Sequence, residues 1–336
     1  MSIGLVVRTP LVRVAGSRAW TLRHVNGDLI AQGASGKVVS IARDGAGSLR
    51  VIRDGETEAL WIGGVSDTLE LVPEQGGYSG WSGNWYRGPF RIFASDSGGV
   101  TLVNVIGLED YLRSVLPNEI GTPPETDFEA VKAQAVAARS YTIAYLGRRA
   151  PFGFDLYATV EDQVYAGVTR ENAQSERAVQ ATRGEVLVSE GQPIKALYSS
   201  ACGGRTANVE DVWPWDPTPY LRSVRDDAGE GTTPYCSLSA NFRWREEWDP
   251  ETFLEIVRQY GAVESPAAAS LGGKLLDVRV DKRSRSDRVQ DLGISTSKGD
   301  ITFHGDRTRW VLRRGKNRAI LRSSFFKIGI LRGEGG

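Results

Sequence analysis

The sequence LEDYLRSVLPNEIGTPPETDFEAVKAQAVAARSY, residues 108–141, decides the fold of the central part of this chain. Its first half carries apolar residues at positions i, i+3, i+4 and i+7, which is the spacing of one helical face. These residues are Leu108, Tyr111, Leu112 and Val115. Pro117 predicts the end of this helix, because proline disfavours helical geometry in the residue before it.

A second helix is predicted to begin at Thr126. Thr126 is followed three residues later by Glu129, which is the spacing of a capping box. The apolar face of this helix is narrow and rich in small residues, and runs through Phe128, Val131, Ala135 and Ala138 to Tyr141. Small residues allow another element to approach closely. The two helices are therefore predicted to form a packed corner, with Glu119 in the short elbow between them.

Glu119 is the candidate catalytic residue of this elbow. Most glutamates in loops are solvated surface charges, and that alternative stays open. However, Leu116, Pro117 and Ile120 surround Glu119 with apolar groups, and burial among such groups raises the pKa of a carboxyl. A carboxyl that stays protonated near neutral pH can act as a general acid.

The composition is that of a soluble globular protein. The chain has 336 residues, of which 40% are apolar and 24% charged, and its formal net charge is zero. A neutral chain is not typical of nucleic-acid binders, so no nucleic-acid partner is expected. No apolar run approaches the ~18 residues of a transmembrane helix. Arginines and a proline interrupt residues 3–14, so the sequence is expected either to be cytosolic or to have lost its leader.

The pattern along the chain predicts an α+β fold. Residues 1–85 read as a β-rich N-terminal domain of short strands separated by glycine-containing turns, which favours a small barrel or curled sheet. Residues 86–336 read as one further domain. It contains the central helices, a helix at 171–183, a helix from Asp249 to about Tyr260, and a C-terminal β-rich part at 274–331.

Four sequence blocks in order carry a family resemblance. The helical pair LEDYLRSVLPNEI and EAVKAQAVAARSYT is followed by DLYATVEDQVYAGV, by YSSACGGRTANVEDVW and by PYLRSV. Together they resemble the SpoIID family of cell-wall lytic enzymes, which includes stage II sporulation protein D and the amidase enhancer LytB. The resemblance covers roughly residues 86–224, with core motifs at 104–224, and implies a SpoIID-like catalytic core with a substrate groove.

The resemblance implies a peptidoglycan lytic transglycosylase with Glu119 as its general acid and base. Such an enzyme cleaves the β-1,4 bond between N-acetylmuramic acid and N-acetylglucosamine and leaves a 1,6-anhydro end, without a second carboxylate and without a cofactor. Two alternatives stay open. One is a non-catalytic peptidoglycan-binding activator of a separate wall amidase, and the other is a carbohydrate hydrolase that uses water.

The substrate-binding candidates lie in four places. Gln134 and Arg139 lie on the second helix, where ordinary surface positions or buried hydrogen bonds are the alternatives. Gln163 and Tyr165 match the family's Gln-x-Tyr. The turn Ser199-Ser200-Ala201-Cys202-Gly203-Gly204-Arg205 offers free amides and hydroxyls, and its alternative is a tight turn with local caps. The last candidates are Ser199, Ser200, Gly203, Gly204 and Arg205 of this turn, and Trp213 and Tyr220, which could line a groove or close a core.

No metal site is expected, because neither Cys202 nor Cys236 has a CxxC partner and His24 and His304 are the only histidines. The loop DLYATVEDQVYAG gives a second reason. The best-known spore-former members of the family bind zinc through cysteines there, whereas this loop holds Tyr157, Glu161 and Asp162 and no cysteine.

The resemblance to wall enzymes implies that the protein acts outside the cytoplasm, in the cell envelope. Disulfides persist in such compartments, so Cys202 and Cys236 are predicted to form one. The alternative is that Cys202 is a buried thiol. The expected partners are peptidoglycan glycan strands and a cell-wall amidase.

Overall fold

Short strands fill the first hundred residues, as the turn-rich sequence predicts. The computed structural model describes residues 1–96, 98–229 and 231–331, which divide into two units, Met1–Tyr198 and Ser199–Gly336. The strands of the first unit are β1 (Ser2–Thr9), β2 (Leu11–Gly16), β3 (Trp20–His24), β4 (Leu29–Gly33), β5 (Val38–Arg43), β6 (Leu49–Arg53), β7 (Trp61–Ile62), β8 (Thr68–Pro73), β9 (Ser79–Trp81), β10 (Asn84–Tyr86), β11 (Phe90–Ala94), β12 (Val100–Val105), β13 (Leu156–Tyr157), β14 (Val188–Ser189) and β15 (Gln192–Pro193).

Two sheets form the β-rich part of the first unit. One has the order β13-β1-β12-β11-β8-β3-β4 and the other the order β10-β9-β2-β5-β6-β7, while β14 and β15 form a separate hairpin. Strand β2 contacts both β8 and β12. The inward residues Val14, Leu71 and Leu102 are almost completely buried. The burial of these apolar side chains accounts for the alternating pattern seen in the sequence.

The domain boundary predicted near residue 85 does not separate the two units. Strand β1 pairs antiparallel with β12 and parallel with β13, so it lies between two strands that come from beyond residue 85. The amino group of Met1 also donates a 3.0 Å hydrogen bond to the carbonyl of Ile106. Such long-range pairing leaves no signal in a local sequence pattern. The N-terminal strands and the central helices therefore belong to one unit.

Three helices pack together in the first unit: α1 (Leu108–Glu119), α2 (Phe128–Ala144) and α3 (Ala173–Ala181). The apolar faces predicted for the first two are buried. Residues with 0–1% exposure include Tyr111, Leu112, Val115, Val131, Ala135 and Ala138. Helix α3 begins with a capping box, in which Asn172 accepts the backbone N–H of Ser175.

Pro117 does not end the first helix, so that prediction is wrong. Helix α1 continues to Glu119, and the N–H of Ile120 still donates to the carbonyl of Leu116. A proline inside a helix leaves the carbonyl four residues earlier without an amide donor. That carbonyl belongs to Arg113, and the hydroxyl of Ser175 lies 3.1 Å from it. Glu119 is therefore the last residue of a helix and is not part of a loop.

The predicted capping box of the second helix is also absent. A 3-10 turn at Glu125–Asp127 precedes α2, and Asp127, the residue before the helix, makes no side-chain cap bond. The hydroxyl of Thr126 donates to the Asp127 carboxylate instead. Because the 3-10 turn delays the helix to Phe128, the Thr126–Glu129 spacing no longer matches its first turn.

The second unit packs helices against a three-stranded sheet, which lies within the β-rich part predicted at 274–331, although of the strand predicted from Ala319 onward only Ala319–Ile320 forms. Asp249 caps its long helix by accepting the N–H of Thr252 at 2.8 Å. The elements are α4 (Pro250–Glu264), β16 (Leu275–Arg283), β17 (Val289–Thr296), β18 (Gly299–His304), α5 (Arg307–Val311), β19 (Arg313–Arg314) and β20 (Ala319–Ile320). Further 3-10 turns of the chain lie at Ala150–Phe152, Val168–Arg170, Val209–Asp211, Tyr235–Leu238 and Pro266–Ser270.

The core of the second unit lies between α4, the sheet and α5. Leu254, Leu292 and Val311 are buried members of this core. Within the described ranges of both units, no helix is long and apolar enough to cross a lipid bilayer.

Candidate active site

The carboxyl of Glu119 lies half-buried at the C-terminal end of α1. Burial raises its pKa above the ordinary value for glutamate, and a hydrogen bond from a backbone amide partly opposes this shift. The amide is that of Val164, which donates to Oε1 at 2.8 Å. Burial favours the protonated acid, and the amide stabilises the carboxylate that forms when the proton leaves. Glu119 is thus suited to both losing and regaining a proton.

Buried hydrogen bonds hold the segment that carries the Val164 amide. The neighbouring Gln163 is fully buried, and its Oε1 accepts from the hydroxyls of Tyr111 and Thr142 at 3.2 and 2.7 Å. Its Nε2 donates to the hydroxyl of Tyr198 at 2.9 Å. These bonds connect the loop to α1, α2 and the end of the first unit. They fix where the Val164 amide meets Glu119.

Asp162 adds a charged anchor to the same loop. Its side chain is 0% exposed and pairs with Arg148 and Arg149, each at 3.1 Å. One oxygen also accepts the backbone N–H of Tyr157 at 2.9 Å. The hydroxyl of Tyr141 donates to it as well, at 3.4 Å, and a buried carboxylate with four donors is well compensated, so the loop is tightly held. The sequence contains Asp162 in the motif VEDQVY, but nothing local distinguishes it from its exposed neighbour Glu161.

Tyr198 is a second site residue that sequence reasoning missed. Burial and the nearby charge of Glu119 raise the pKa of its hydroxyl, so it stays protonated at neutral pH. It therefore faces the site as a neutral group that can give or accept a hydrogen bond. It directly precedes the Ser199–Arg205 turn, and that position was its only signal in the sequence.

Three residues that were predicted to contact glycan are buried in the structure. Gln163 and Arg139 are 0% and 1% exposed, and Tyr165 is 4% exposed, so no polymer reaches them. The hydroxyl of Tyr165 donates to Asn104 at 2.7 Å. Local sequence marks these residues as polar but cannot show that their partners are internal.

Arg139 joins the three helices. Its guanidinium forms two hydrogen bonds with Glu109 of α1, at 2.9 and 2.7 Å. It also donates to the carbonyl of Val179 in α3 and to the carbonyl of Glu185, which follows that helix. The buried hydrogen bond that the sequence left open as an alternative is therefore the role of Arg139.

Gln134 differs from these residues. It is half-buried on α2, and its Nε2 atom is buried without a hydrogen-bond partner in the part of the chain that the structure describes. A buried unpaired amide nitrogen carries a free-energy cost unless a ligand or water satisfies it. Gln134 remains a predicted substrate-binding residue.

The remaining predicted residues lie in the second unit. Ser199 and Ser200 are exposed, while Gly203 and Gly204 have φ angles of +79° and +105°, which favour glycine. Arg205 donates to the hydroxyl of Ser223 at 3.4 Å. Trp213 and Tyr220 are 39% and 37% exposed, and Trp213 stacks on Trp215. A groove shared by Glu119 and this turn stays a prediction.

The sulfur atoms of Cys202 and Cys236 lie 3.6 Å apart as two free thiols. This is longer than the ~2.04 Å of a disulfide bond, so the disulfide stays a prediction. The carboxylate of Asp226 lies beside them, with ligand atoms of all three residues within 4.8 Å of one another. These three residues can hold a metal ion.

The fold and site define an α+β protein with a candidate acid–base residue at the end of a helix. Residues 96–188 match the SpoIID family, described as stage II sporulation protein. This match assigns residues 96–188 to the SpoIID family. The match ends before the Ser199–Arg205 turn, and residues 235–333 match a different family, described as a domain of unknown function.

Several curated proteins are similar to this chain. An uncharacterized protein of Brachyspira hyodysenteriae is 40% identical over 124 residues, covering 37% of this chain and 33% of that protein. The amidase enhancer of Bacillus subtilis is 40% identical over 115 residues, covering 34% of this chain and 15% of that protein. The stage II sporulation protein D of Bacillus amyloliquefaciens is 30% identical over 138 residues, covering 37% of this chain and 39% of that protein. The match thus spans well under half of each relative.

Proposed function

We propose that this protein is a peptidoglycan lytic transglycosylase in which Glu119 is the general acid and base. The observation that carries the proposal is the environment of this carboxyl, which is half-buried with a raised pKa and accepts the Val164 amide. An acid that must first donate and then accept a proton needs both features. The family membership of the surrounding residues supports the same reaction.

The reaction proceeds through one carboxyl. Protonated Glu119 donates its proton to the glycosidic oxygen, so that N-acetylglucosamine leaves with a free hydroxyl. The resulting carboxylate accepts the proton of the C6 hydroxyl of N-acetylmuramic acid, whose oxygen attacks the anomeric carbon. The product has a 1,6-anhydro end, and no water is consumed. The paired carboxylates of a hydrolase are not required.

The Val164 amide stabilises Glu119 during the interval when it is charged. A backbone N–H held by fixed surroundings needs no reorganisation as the charge develops. The hydrogen bonds of Gln163 and the ion pairs of Asp162 provide these fixed surroundings, because they hold the two residues that directly precede Val164. Gln163 and Asp162 are therefore positioning residues in this proposal.

Mass spectrometry of products from defined glycan strands tests the proposal. We expect products one water lighter than those of hydrolysis, and a comparison of strands with and without stem peptides shows which of the two the protein cleaves. Glu119→Gln should lower the rate by at least ~10²-fold, because it removes the transferable proton. The matched control is Glu129→Gln on α2, whose side chain is 80% exposed and which should retain activity. Products with reducing ends would support the hydrolase alternative.

A second function is favoured by the similarity to the amidase enhancer. In this alternative the chain binds glycan and stimulates a separate cell-wall amidase. Binding alone does not need an ionisable Glu119, so Glu119→Gln should stimulate an amidase as well as the original chain does. Full stimulation by the variant, together with no anhydro products from the original chain, would establish the alternative.

The proposal includes the place of action. Intact peptidoglycan lies outside the cytoplasmic membrane, so a chain that cleaves it acts in the cell envelope. Its partners are glycan strands and, in the second function, a wall amidase.

A further inference from the structure

Three segments of the second unit bring two thiols and a carboxylate together. Cys202 lies in the Ser199–Arg205 turn, Asp226 lies in an irregular segment further along the chain, and Cys236 lies in the 3-10 turn Tyr235–Leu238. Their ligand atoms all lie within 4.8 Å of one another. We propose that Cys202, Cys236 and Asp226 form a zinc-binding site in the reduced protein.

The distance between the sulfur atoms fits this ion. Two thiolates bound to one tetrahedral zinc, with Zn–S bonds of ~2.3 Å, have their sulfur atoms about 3.8 Å apart. Cys202 and Cys236 have theirs 3.6 Å apart. One carboxylate oxygen of Asp226 accepts the N–H of Cys236 at 3.0 Å, which orients the group towards the thiols. Tetrahedral zinc bonds bring such ligand atoms to about 3.5–3.8 Å from one another, and all three already lie within 4.8 Å.

Backbone hydrogen bonds hold the three segments together without the metal. The N–H of Asp226 donates to the carbonyl of Gly204 at 3.1 Å, and the N–H of Tyr235 donates to the carbonyl of Asp226 at 2.8 Å. The turn at Gly203 and Gly204 is tight, because a Cβ on Gly203 would lie 2.9 Å from the ring of Phe325. A site whose ligands are already gathered loses little conformational entropy when it binds an ion.

The positive charge of Arg288 favours a net negative charge on the proposed zinc site. Its side chain is buried and donates to the carbonyls of Cys202 and Arg205 at 2.8 and 2.9 Å and to the hydroxyl of Ser323. Among residues placed in the structure, no carboxylate forms an ion pair with it. Two thiolates, one carboxylate and one zinc ion carry a net charge of −1, which balances this guanidinium. Asp306 and Asp211 also act on this guanidinium without forming a direct ion pair, and further negative charge beside a buried cation is favourable.

The ligand types favour zinc over other common ions. Thiolates select zinc over magnesium or calcium, which prefer oxygen ligands. Three protein ligands leave a fourth tetrahedral position for water or a bound ligand. The site shares no residue with the acid–base site around Glu119, and it does not depend on the proposed reaction.

Metal analysis of the full chain, purified without a histidine tag and kept reduced with a phosphine, tests the site. After incubation with Zn²⁺ and gel filtration, we expect one zinc per chain. Cobalt in its place should give the near-ultraviolet charge-transfer band of a thiolate ligand. Cys202→Ser and Cys236→Ser should lose both signals. Asp226→Asn should weaken zinc binding by at least ~10-fold, since even outer-shell changes cost that much.

His304→Gln is the matched control. His304 and Asp291 form an exposed pair 2.8 Å apart in the same unit, which is another place where zinc could bind weakly. This variant should keep the full stoichiometry. Absence of zinc from the reduced original chain would overturn the proposal, as would retention of zinc and of the thiolate band by the two serine variants. Circular dichroism of each variant confirms that loss of metal is not loss of fold.

Discussion

The hydroxyl of Ser175 lies 3.1 Å from the carbonyl oxygen of Arg113, which Pro117 leaves without its amide donor. The same hydroxyl lies 2.9 Å from the carbonyl of Asn172, so one proton serves two acceptors. Ser175 thereby joins the start of α3 to the last turns of α1. The final residue of α1 is Glu119, so α3 supports the helix end that carries the proposed acid.

Ser175→Ala should lower the free energy of unfolding by about 1–3 kcal/mol, because it leaves a buried carbonyl unpaired and removes part of a capping box. The cost should be smaller when Pro117→Ala is also present, since the new amide can reach the carbonyl of Arg113. Urea unfolding of the two single variants and the double variant measures the coupling. An equal cost of Ser175→Ala in both backgrounds would contradict the role assigned to this contact.

Asp162 and Glu161 are adjacent acids with opposite surroundings. Asp162 is buried and lies 3.1 Å from each of two arginines. The side chain of Glu161 is 63% exposed and lies farther, at 3.7 Å, from Arg149. Asp162→Asn should cost about 2–3 kcal/mol, below the ~3–5 kcal/mol of a fully buried pair because both arginines are partly exposed. Glu161→Gln should stay within ~0.5 kcal/mol of the original chain. Similar unfolding free energies for the two variants would argue against the anchoring role.

The sequence predicted what depends on local pattern. The apolar faces of α1 and α2, the β-rich start and the helix after Asp249 follow from periodicity and caps, and all are present. The end of α1 could not be predicted, because the group that compensates for Pro117 comes from Ser175, some sixty residues later in the chain.

The candidate site divides in the same way. Glu119 was predicted from its apolar neighbours, and burial does raise its pKa, while its catalytic role stays a prediction. The Val164 amide and the Tyr198 hydroxyl were missed, because a backbone group and a distant tyrosine carry no local signal. Gln163 was predicted to bind substrate, because the sequence does not reveal the four internal hydrogen bonds that its side chain makes.

Arg139→Lys tests the structural role of the buried arginine. Lysine cannot reproduce the two-bond contact with Glu109, so we expect a loss of at least ~2 kcal/mol in the free energy of unfolding. The control is Arg177→Lys on α3, whose ion pair with Glu125 is exposed and should change stability by less than ~1 kcal/mol. The glycan affinity of folded Arg139→Lys should equal that of the original chain, and a selective loss of affinity would restore the substrate-binding role.

Cys202 and Cys236 are expected to form a disulfide in oxidised protein and to be free thiols in reduced protein. In protein from an oxidising compartment the predicted disulfide should form, and thiol labelling under denaturing, non-reducing conditions should find no free thiols. The bond would stabilise the fold by roughly 3–4 kcal/mol on a chain-entropy estimate. Two reactive thiols per chain in that preparation would rule the disulfide out. Zinc binding requires both thiols, so it is tested on reduced protein, and one molecule cannot contain both features.

Glu119 should make stability depend on pH in a defined direction. Because burial raises its pKa in the folded state, the folded chain keeps a proton that the unfolded chain has lost. The stability that this proton provides is complete below the unfolded pKa of ~4.3 and is lost as pH rises through the folded pKa. Glu119→Gln is neutral throughout and keeps an oxygen for the Val164 amide.

The stability of Glu119→Gln relative to the original chain should therefore increase with pH through this window and then become constant. Urea unfolding at several pH values between about 4 and 8 measures the difference, and Glu129→Gln, with its exposed side chain, should show no such trend. The lytic rate should decrease over the same window, because the general acid must be protonated to act. A stability difference that does not change with pH would mean that the surroundings of Glu119 do not favour its protonated form. The proposed acid would then have to be sought elsewhere.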